Sequence, residues 1–141
     1  MKKIIQLNFI PVSADLALLL LRLWYGISLL LLHGWSKAMG FSSMAASFPD
    51  PLGVGARNSL ILAVVGEVLC AGLLVVGLFT RLAAFGAAVT MGVAFWRVHQ
   101  LSLTGEHNGE LAYTYLGVFL ALLFAGAGRF SLDARSGGAA K

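Results

Sequence analysis

Charge is what this chain has least of. Only 11% of its 141 residues are Asp, Glu, Lys or Arg, where a soluble domain carries about a quarter. Cysteine is nearly missing too. Cys70 stands alone, so an intramolecular disulfide and a self-contained Cys-x-x-Cys relay are both excluded. Against these shortages stand 59% hydrophobic residues and a mean hydropathy of +0.87. The polar groups cannot coat a water-soluble globule, which rules out an ordinary cytosolic enzyme and a disordered segment. The net charge of +4 does not signal nucleic acid, because membrane proteins gather Lys and Arg on their cytoplasmic side. No secretory signal is expected either: Ile4 to Pro11 is mixed and weak, with no small-residue cleavage site.

The chain therefore reads as an all-α integral membrane protein, one transmembrane domain over residues 1–141. A spanning helix needs about 20 apolar residues, and four such runs are present, at about 14–37, 59–79, 81–99 and 110–128. Ser13 and Asp15 suit the amino end of the first, where a side-chain oxygen satisfies free backbone N–H groups. A β-barrel is excluded because the runs lack period-two alternation and four strands are fewer than eight. The segment Ala38 to Asn58 holds Phe48, Pro49, Asp50, Pro51, Gly53 and Gly55 and is expected to lie across one membrane face. Phe79, Thr80 and Arg81 make a tight hairpin, and residues 134–141 a flexible tail. One side collects Lys2, Lys3, Arg81, Arg129, Arg135 and Lys141; the other collects Lys37, Arg57 and Arg97. Six against three places both termini in the cytoplasm, so the fold expected is a four-helix bundle. Gly117, Ala121 and Ala125 recur every four residues and offer a face for close helix packing.

Charges inside the hydrocarbon cost about 2.5 to 3.5 kcal/mol on insertion scales, so they pair or face a cavity. Counted from the inner ends of their helices, Arg22 rises about 10 Å and Glu67 about 18 Å. A buried Arg22–Glu67 pair follows, within the reach of two long side chains. At 100° per residue, Arg22, Gly26, Leu29, His33 and Lys37 share one stripe of the first span, flanked by Tyr25, while Trp24 points away. Ala63, Glu67, Cys70 and Leu74 make a stripe on the second span. Glu110, Thr114, Gly117 and Ala121 make another on the fourth, and one shared interior is the economical arrangement. Near the outer edge, Tyr25, His33, Lys37, His99, Glu110 and Thr114 then outline a polar pocket. Its Lys and His suit a quinone carbonyl; its dispersed His and Glu lack the spacing of a metal motif, so no metal ligands are assigned. The alternative is that these groups are polar only because interfacial water is there. Arg81 and Asp133, both expected at the inner face, are placed in contact.

Leu21-Arg22-Leu23 with Gly26, His33-Gly34 and Lys37, then Glu67, Gly72 and Gly77-Leu78-Phe79-Thr80-Arg81-Leu82-Ala83, then Glu110 and Gly126-Ala127-Gly128-Arg129-Phe130-Ser131-Leu132-Asp133 resemble, in this order, the DoxX family of small four-helix bacterial membrane proteins. The resemblance covers about residues 16–133; Ala127 stands where the closing pattern usually has Pro. It implies a multi-pass protein of the bacterial inner membrane. It also implies a place among subunits or partners of membrane oxidoreductases, including thiosulfate:quinone oxidoreductase. The chain has no haem ligation pair, iron–sulfur cysteines or dinucleotide loop, so no intrinsic cofactor is expected and electrons come from a partner or substrate. Two readings stay open: a quinone-interacting redox subunit, with Arg22 and Glu67 tuning charge and His33 or Lys37 binding a quinone oxygen, and a non-catalytic anchor or assembly partner. Metal or small-molecule handling stands third. Expected partners are the lipid bilayer, a quinone, a redox protein or a second copy of the chain, and no nucleic acid.

Overall fold

The structure, a computed structural model, describes Leu7, Phe9 and residues 11–136. Lys2, Lys3 and Lys141 of the charge count, and residues 137–141 of the expected tail, lie outside the described residues. Among the described residues every regular element is helical. Helix α1 runs over Ala14–Met39 and α3 over Ala56–Val76, and both are long and apolar enough to cross a membrane. Between them lies a single turn, α2, Phe41–Met44. Helix α4 is Thr80–Val93, continued by a π-helical turn Ala94–Val98. Helix α5 is Glu110–Ala125, and α6 is one turn, Leu132–Arg135, whose last two residues fall in the stretch expected to be tail.

Local chemistry sets the ends of these rods. The Ser13 hydroxyl accepts from the Leu16 amide at 3.2 Å and starts α1. Gly77, at φ +72°, stops α3 in the left-handed conformation that costs glycine nothing. The Leu78 amide returns to the Leu73 carbonyl at 3.0 Å. Helix α4 then begins without a cap of its own. Asp133, 53 residues on, supplies it by accepting from the Phe79 and Thr80 amides at 2.8 and 2.9 Å. The Asp133 amide in turn donates to the Gly77 carbonyl at 2.9 Å. Burial raises the Asp133 carboxyl, but the Thr80 and Phe79 amides and the nearby Arg22 charge outweigh it and hold the group below the ordinary carboxylate range.

The core is made by small residues meeting large ones. Ala83, Ala84, Ala87, Ala88 and Met91 of α4 join Tyr115, Phe119 and Leu122 of α5 with Leu29, Ala71 and Leu74. Alanine on α4 lets the two backbones come close enough for the α5 side chains to fill the gap. Glycine does the same for α1 against α3: a Cβ on Gly34 would stand 2.5 Å from the Glu67 carbonyl oxygen, and one on Gly26 2.8 Å from Val75. Large apolar side chains cover the outside, Trp24 among them at 74% exposure, so it points away from the interior as its phase predicts.

The polar stripe of the fourth span is a correction. Glu110, Thr114, Gly117 and Ala121 all face outward, as does Ala125, and nothing lies within 4 Å of a Cβ added at Gly117. The inward face of α5 is instead Ala112, Tyr115, Phe119 and Leu122. Burying three large side chains outweighs burying one hydroxyl, and Thr114 satisfies its own by donating to the Glu110 carbonyl at 2.8 Å. The small-residue face therefore packs against no other described element of the chain.

Candidate functional site

Helices α1 and α3 run side by side in a fixed antiparallel register. Arg22 lies level with Gly77, Gly26 with Ala71 and Val75, and Gly34 with Glu67. This register corrects the Arg22–Glu67 pair. Ten residues of α3 separate Gly77 from Glu67, about 15 Å along the axis. Counting from helix ends assumed that α1 and α3 start at the same level, whereas α1 enters beside the carboxyl-terminal segment and reaches the hairpin only at Arg22. Glu67 pairs with Lys37 instead: Nζ stands 2.5 Å from Oε2, with the two side chains 21% and 9% exposed.

Arg22 is fully buried at the opposite end. Its Nη2 donates to the Phe130 carbonyl, while Nε and Nη1 have no hydrogen-bond partner among the described residues. Its guanidinium occupies the space over Gly77, where a Cβ would fall 1.7 Å from Nη1. Arg22 thus fastens α1 to the hairpin and to the closing segment, which Asp15 also holds by accepting from the Arg129 amide at 2.9 Å. The expected Arg81–Asp133 contact is replaced at this level as well. Arg81 Nε donates to the Leu123 carbonyl at 3.0 Å. Asp133 is taken by two backbone amides of the hairpin, those of Phe79 and Thr80, while Arg81 is exposed.

Around Glu67 the helices part to leave a cavity of about 650 Å³, the size of sites that hold a small organic molecule. The walls are mostly apolar, with Leu29, Met91, Ala112 and Leu111 among them. His33, Lys37, Glu67 and His99 all line it, joined by Ser59, Thr90, Asn108 and Tyr115. Of the six residues expected in a pocket, His33, Lys37 and His99 are therefore brought together. Tyr25, Glu110 and Thr114 are not among its lining. Tyr25 packs edge-on against Tyr115, with centroids 5.4 Å apart, and Tyr115 meets His33 edge-on at 6.0 Å. Glu110 and Thr114 turn outward with their helix face.

Two local devices aim the polar groups. The first is a set of π-helical turns, Leu30–Gly34, Val65–Cys70 and Ala94–Val98, one on each of three rods. Such turns widen the helix and re-aim its side chains, and His33, Glu67 and Ala94 are all carried on them and into the cavity wall. The His33 carbonyl in the first π turn accepts from the Ser36 hydroxyl at 3.1 Å and faces Lys37 Nζ at 3.4 Å, which helps fix the ammonium over Glu67. The second is the strap between α2 and α3. Asp50 accepts from the Ser59 hydroxyl at 2.7 Å and from the Gly55 and Val54 amides at 2.7 and 3.0 Å. The Ser59 hydrogen bond, with these amides, holds the Asp50 carboxyl below its ordinary range. The Pro51 carbonyl accepts from Arg97 Nε at 3.1 Å, so Phe48, Pro49, Pro51 and Leu52 close over the cavity. The sequence flags this strap only as a turn-rich loop; Asp50, Thr90 and Asn108 carried no signal of a role in the site. Among the described residues no group of three or more His, Cys, Asp or Glu could hold a metal ion.

The cavity therefore presents one ammonium, one carboxylate and two imidazoles within a mainly apolar lining. Comparison with known proteins agrees with a membrane setting. An uncharacterized protein of Haemophilus influenzae is 36% identical over 108 residues, covering 73% of this chain and 78% of its own. The inner membrane protein YphA of Escherichia coli is 34% identical over 119 residues, 77% of this chain and 83% of its own. No solved structure matches. The DoxX family model matches residues 17–100, which include Arg22, His33, Lys37, Glu67 and His99. The chain belongs to the DoxX family and is a membrane protein.

Proposed function

We infer that the protein is a four-span protein of the bacterial inner membrane, with both termini in the cytoplasm, that binds a quinone and works as a subunit or partner of a membrane oxidoreductase system. One observation carries this reading: the mainly apolar cavity of about 650 Å³ is also lined by the Lys37–Glu67 ion pair and by His33 and His99. A quinone asks for that division. Its ring and tail take an apolar wall, and its oxygens take a donor such as Lys37 Nζ or an imidazole N–H. When the oxygens are protonated, Glu67 accepts. The ion pair presents donor and acceptor side by side, so either oxidation state finds a partner. Electrons come from the partner protein or its substrate. The relative described as an inner membrane protein supports the location, and the excess of Lys and Arg beside the termini supports the orientation.

A second reading, a non-catalytic anchor, is favoured by Arg22. That buried cation is spent on the Phe130 carbonyl and the hairpin and has no part in the cavity. Mass spectrometry of quinones, lipids and metals retained by the detergent-purified protein separates the two. A stoichiometric quinone, lost in Lys37→Met, supports the first reading; no quinone in wild type leaves the anchor. For orientation, cysteines introduced at Ser43 and Asn108 should react with an impermeant reagent from the periplasmic side. Labelling from the cytoplasmic side inverts the topology.

A further inference from the structure

The cavity is bounded by the strap at one end and by apolar helix faces at the side. Its outer end lies under the strap, whose lining residues Phe48, Pro49, Pro51 and Leu52 are apolar and which is tied down on both sides, by Asp50 to Ser59 and by Arg97 to Pro51. The gap lies at the side. Helices α3 and α4 pack against each other through the π turn Val65–Cys70 and the inner half Ala71–Val76, but the outer half of α3, Ala56–Val64, makes few contacts with α4. The last tight point is Gly66 against Thr90, where a Cβ on the glycine would fall 2.0 Å from the hydroxyl oxygen. Above it, Ala63 of α3 and Val93 and Ala94 of α4 still line the cavity, so the space passes between the two helices there. On the far side it continues along Leu62, Val65, Phe85 and Val89, which line the same cavity and are 40 to 55% exposed, as 50%, 41%, 54% and 49%. In a membrane protein that surface faces lipid.

We propose that this gap is a side doorway to the bilayer: the site takes an amphiphile with a single long apolar tail, which enters from the outer leaflet, places its head at Lys37 and Glu67, and leaves its tail in the Leu62–Val65–Phe85–Val89 groove. The proposal rests on the quinone reading for the head and stands apart from it for the tail. The two walls are continuous in one cavity, and their chemistry divides at the doorway. Polar groups that need a head, Lys37, Glu67, His33 and His99, lie on the bundle side. The bilayer side offers only hydrocarbon.

The test uses the full chain in nanodiscs, with a photoreactive benzoyl-phenylalanine at Leu62 or Phe85 in the groove, or at Leu82, which is 70% exposed and outside the cavity lining. Three probes are compared: a decyl-tailed benzoquinone, the same benzoquinone without its tail, and decanol. The expected result is saturable adducts of the tailed quinone at Leu62 and Phe85 and none at Leu82, with the tailed quinone binding wild type at least tenfold more tightly than the tailless one. Equal binding of both quinones with no groove adducts overturns the doorway and leaves quinone binding standing. Saturable decanol adducts in the groove, with no binding of the tailless quinone, keep the doorway and overturn the quinone head. Adducts equal at all three positions mean ordinary lipid-phase contact and overturn the doorway.

Discussion

Replacing Lys37 by Met strands the Glu67 carboxylate in a wall where its side chain is 9% exposed. At 2.5 Å and an effective dielectric of about 20, the lost attraction is about 7 kcal/mol. Desolvation already cost several kcal/mol per ion when the pair formed, so the intact pair contributes little net stability. Removing one partner forfeits the attraction and keeps the other ion's desolvation penalty, a loss of about 3 to 5 kcal/mol. In a chain of this size that lowers the midpoint of thermal unfolding by on the order of 10 °C. Glu67→Leu should cost a similar amount by stranding Lys37, less what its longer side chain recovers by reaching water. The double variant Lys37→Met, Glu67→Leu removes both charges and should regain most of the loss. Thermal unfolding in one detergent, read by intrinsic fluorescence across the four proteins, gives the cycle. The companion cycle on Arg22 and Glu67 should be additive to within about 0.5 kcal/mol, since those residues share no partner. Coupling between Arg22 and Glu67, with additivity between Lys37 and Glu67, would refute the register that sets Gly34 beside Glu67.

Three further outcomes follow from particular contacts. Gly77→Ala should destabilise by more than about 2 kcal/mol in the same assay, because φ of +72° strains any side chain and the new Cβ falls 1.7 Å from Arg22 Nη1; an unchanged midpoint would displace Arg22 from the hairpin. Asp133→Ala should cost about 1 to 2 kcal/mol as a lost helix cap. Since its folded pKa is lowered, the stability it adds is present above the unfolded value of about 3.9 and is lost as pH falls through the folded one. The gap between wild type and variant should therefore close below about pH 4, and a gap that persists there argues against the carboxylate cap. Gly117→Ala should raise stability by about 0.5 to 1 kcal/mol, as an exposed helical glycine with open space around it; a loss instead, with a change in oligomeric mass, would show that a second copy covers this face.

How the chain partitions was legible in the sequence. Scarce charge and long apolar runs dictate a helical membrane protein, because backbone groups in lipid must be satisfied within the helix. The phase of α1 was legible too: Arg22, Gly26 and Leu29 are buried, His33 and Lys37 half-buried, and Trp24 faces out, all from the 3.6-residue period. His33, Lys37 and His99 could be chosen because polar side chains on an inward stripe need a common space. The partners could not. Period fixes a side chain's azimuth but not the axial offset between two rods, and that offset is set by glycines meeting backbone, Gly34 at Glu67 and Arg22 over Gly77. A slide of α1 by about three turns separates an Arg22–Glu67 pair from the Lys37–Glu67 pair observed. The facing of α5 was likewise open, since its stripe of Glu110, Thr114 and Gly117 and its stripe of Tyr115, Phe119 and Leu122 are both periodic. Only packing against the alanines of α4 decided between them, because the larger side chains fill that groove and leave no void. The carboxylate that starts α4 comes from Asp133, far along the chain, and the strap that roofs the cavity is anchored by Pro51 on Arg97. Contacts of that range belong to the tertiary structure, where chain segments distant in sequence compete for the same few unsatisfied amides.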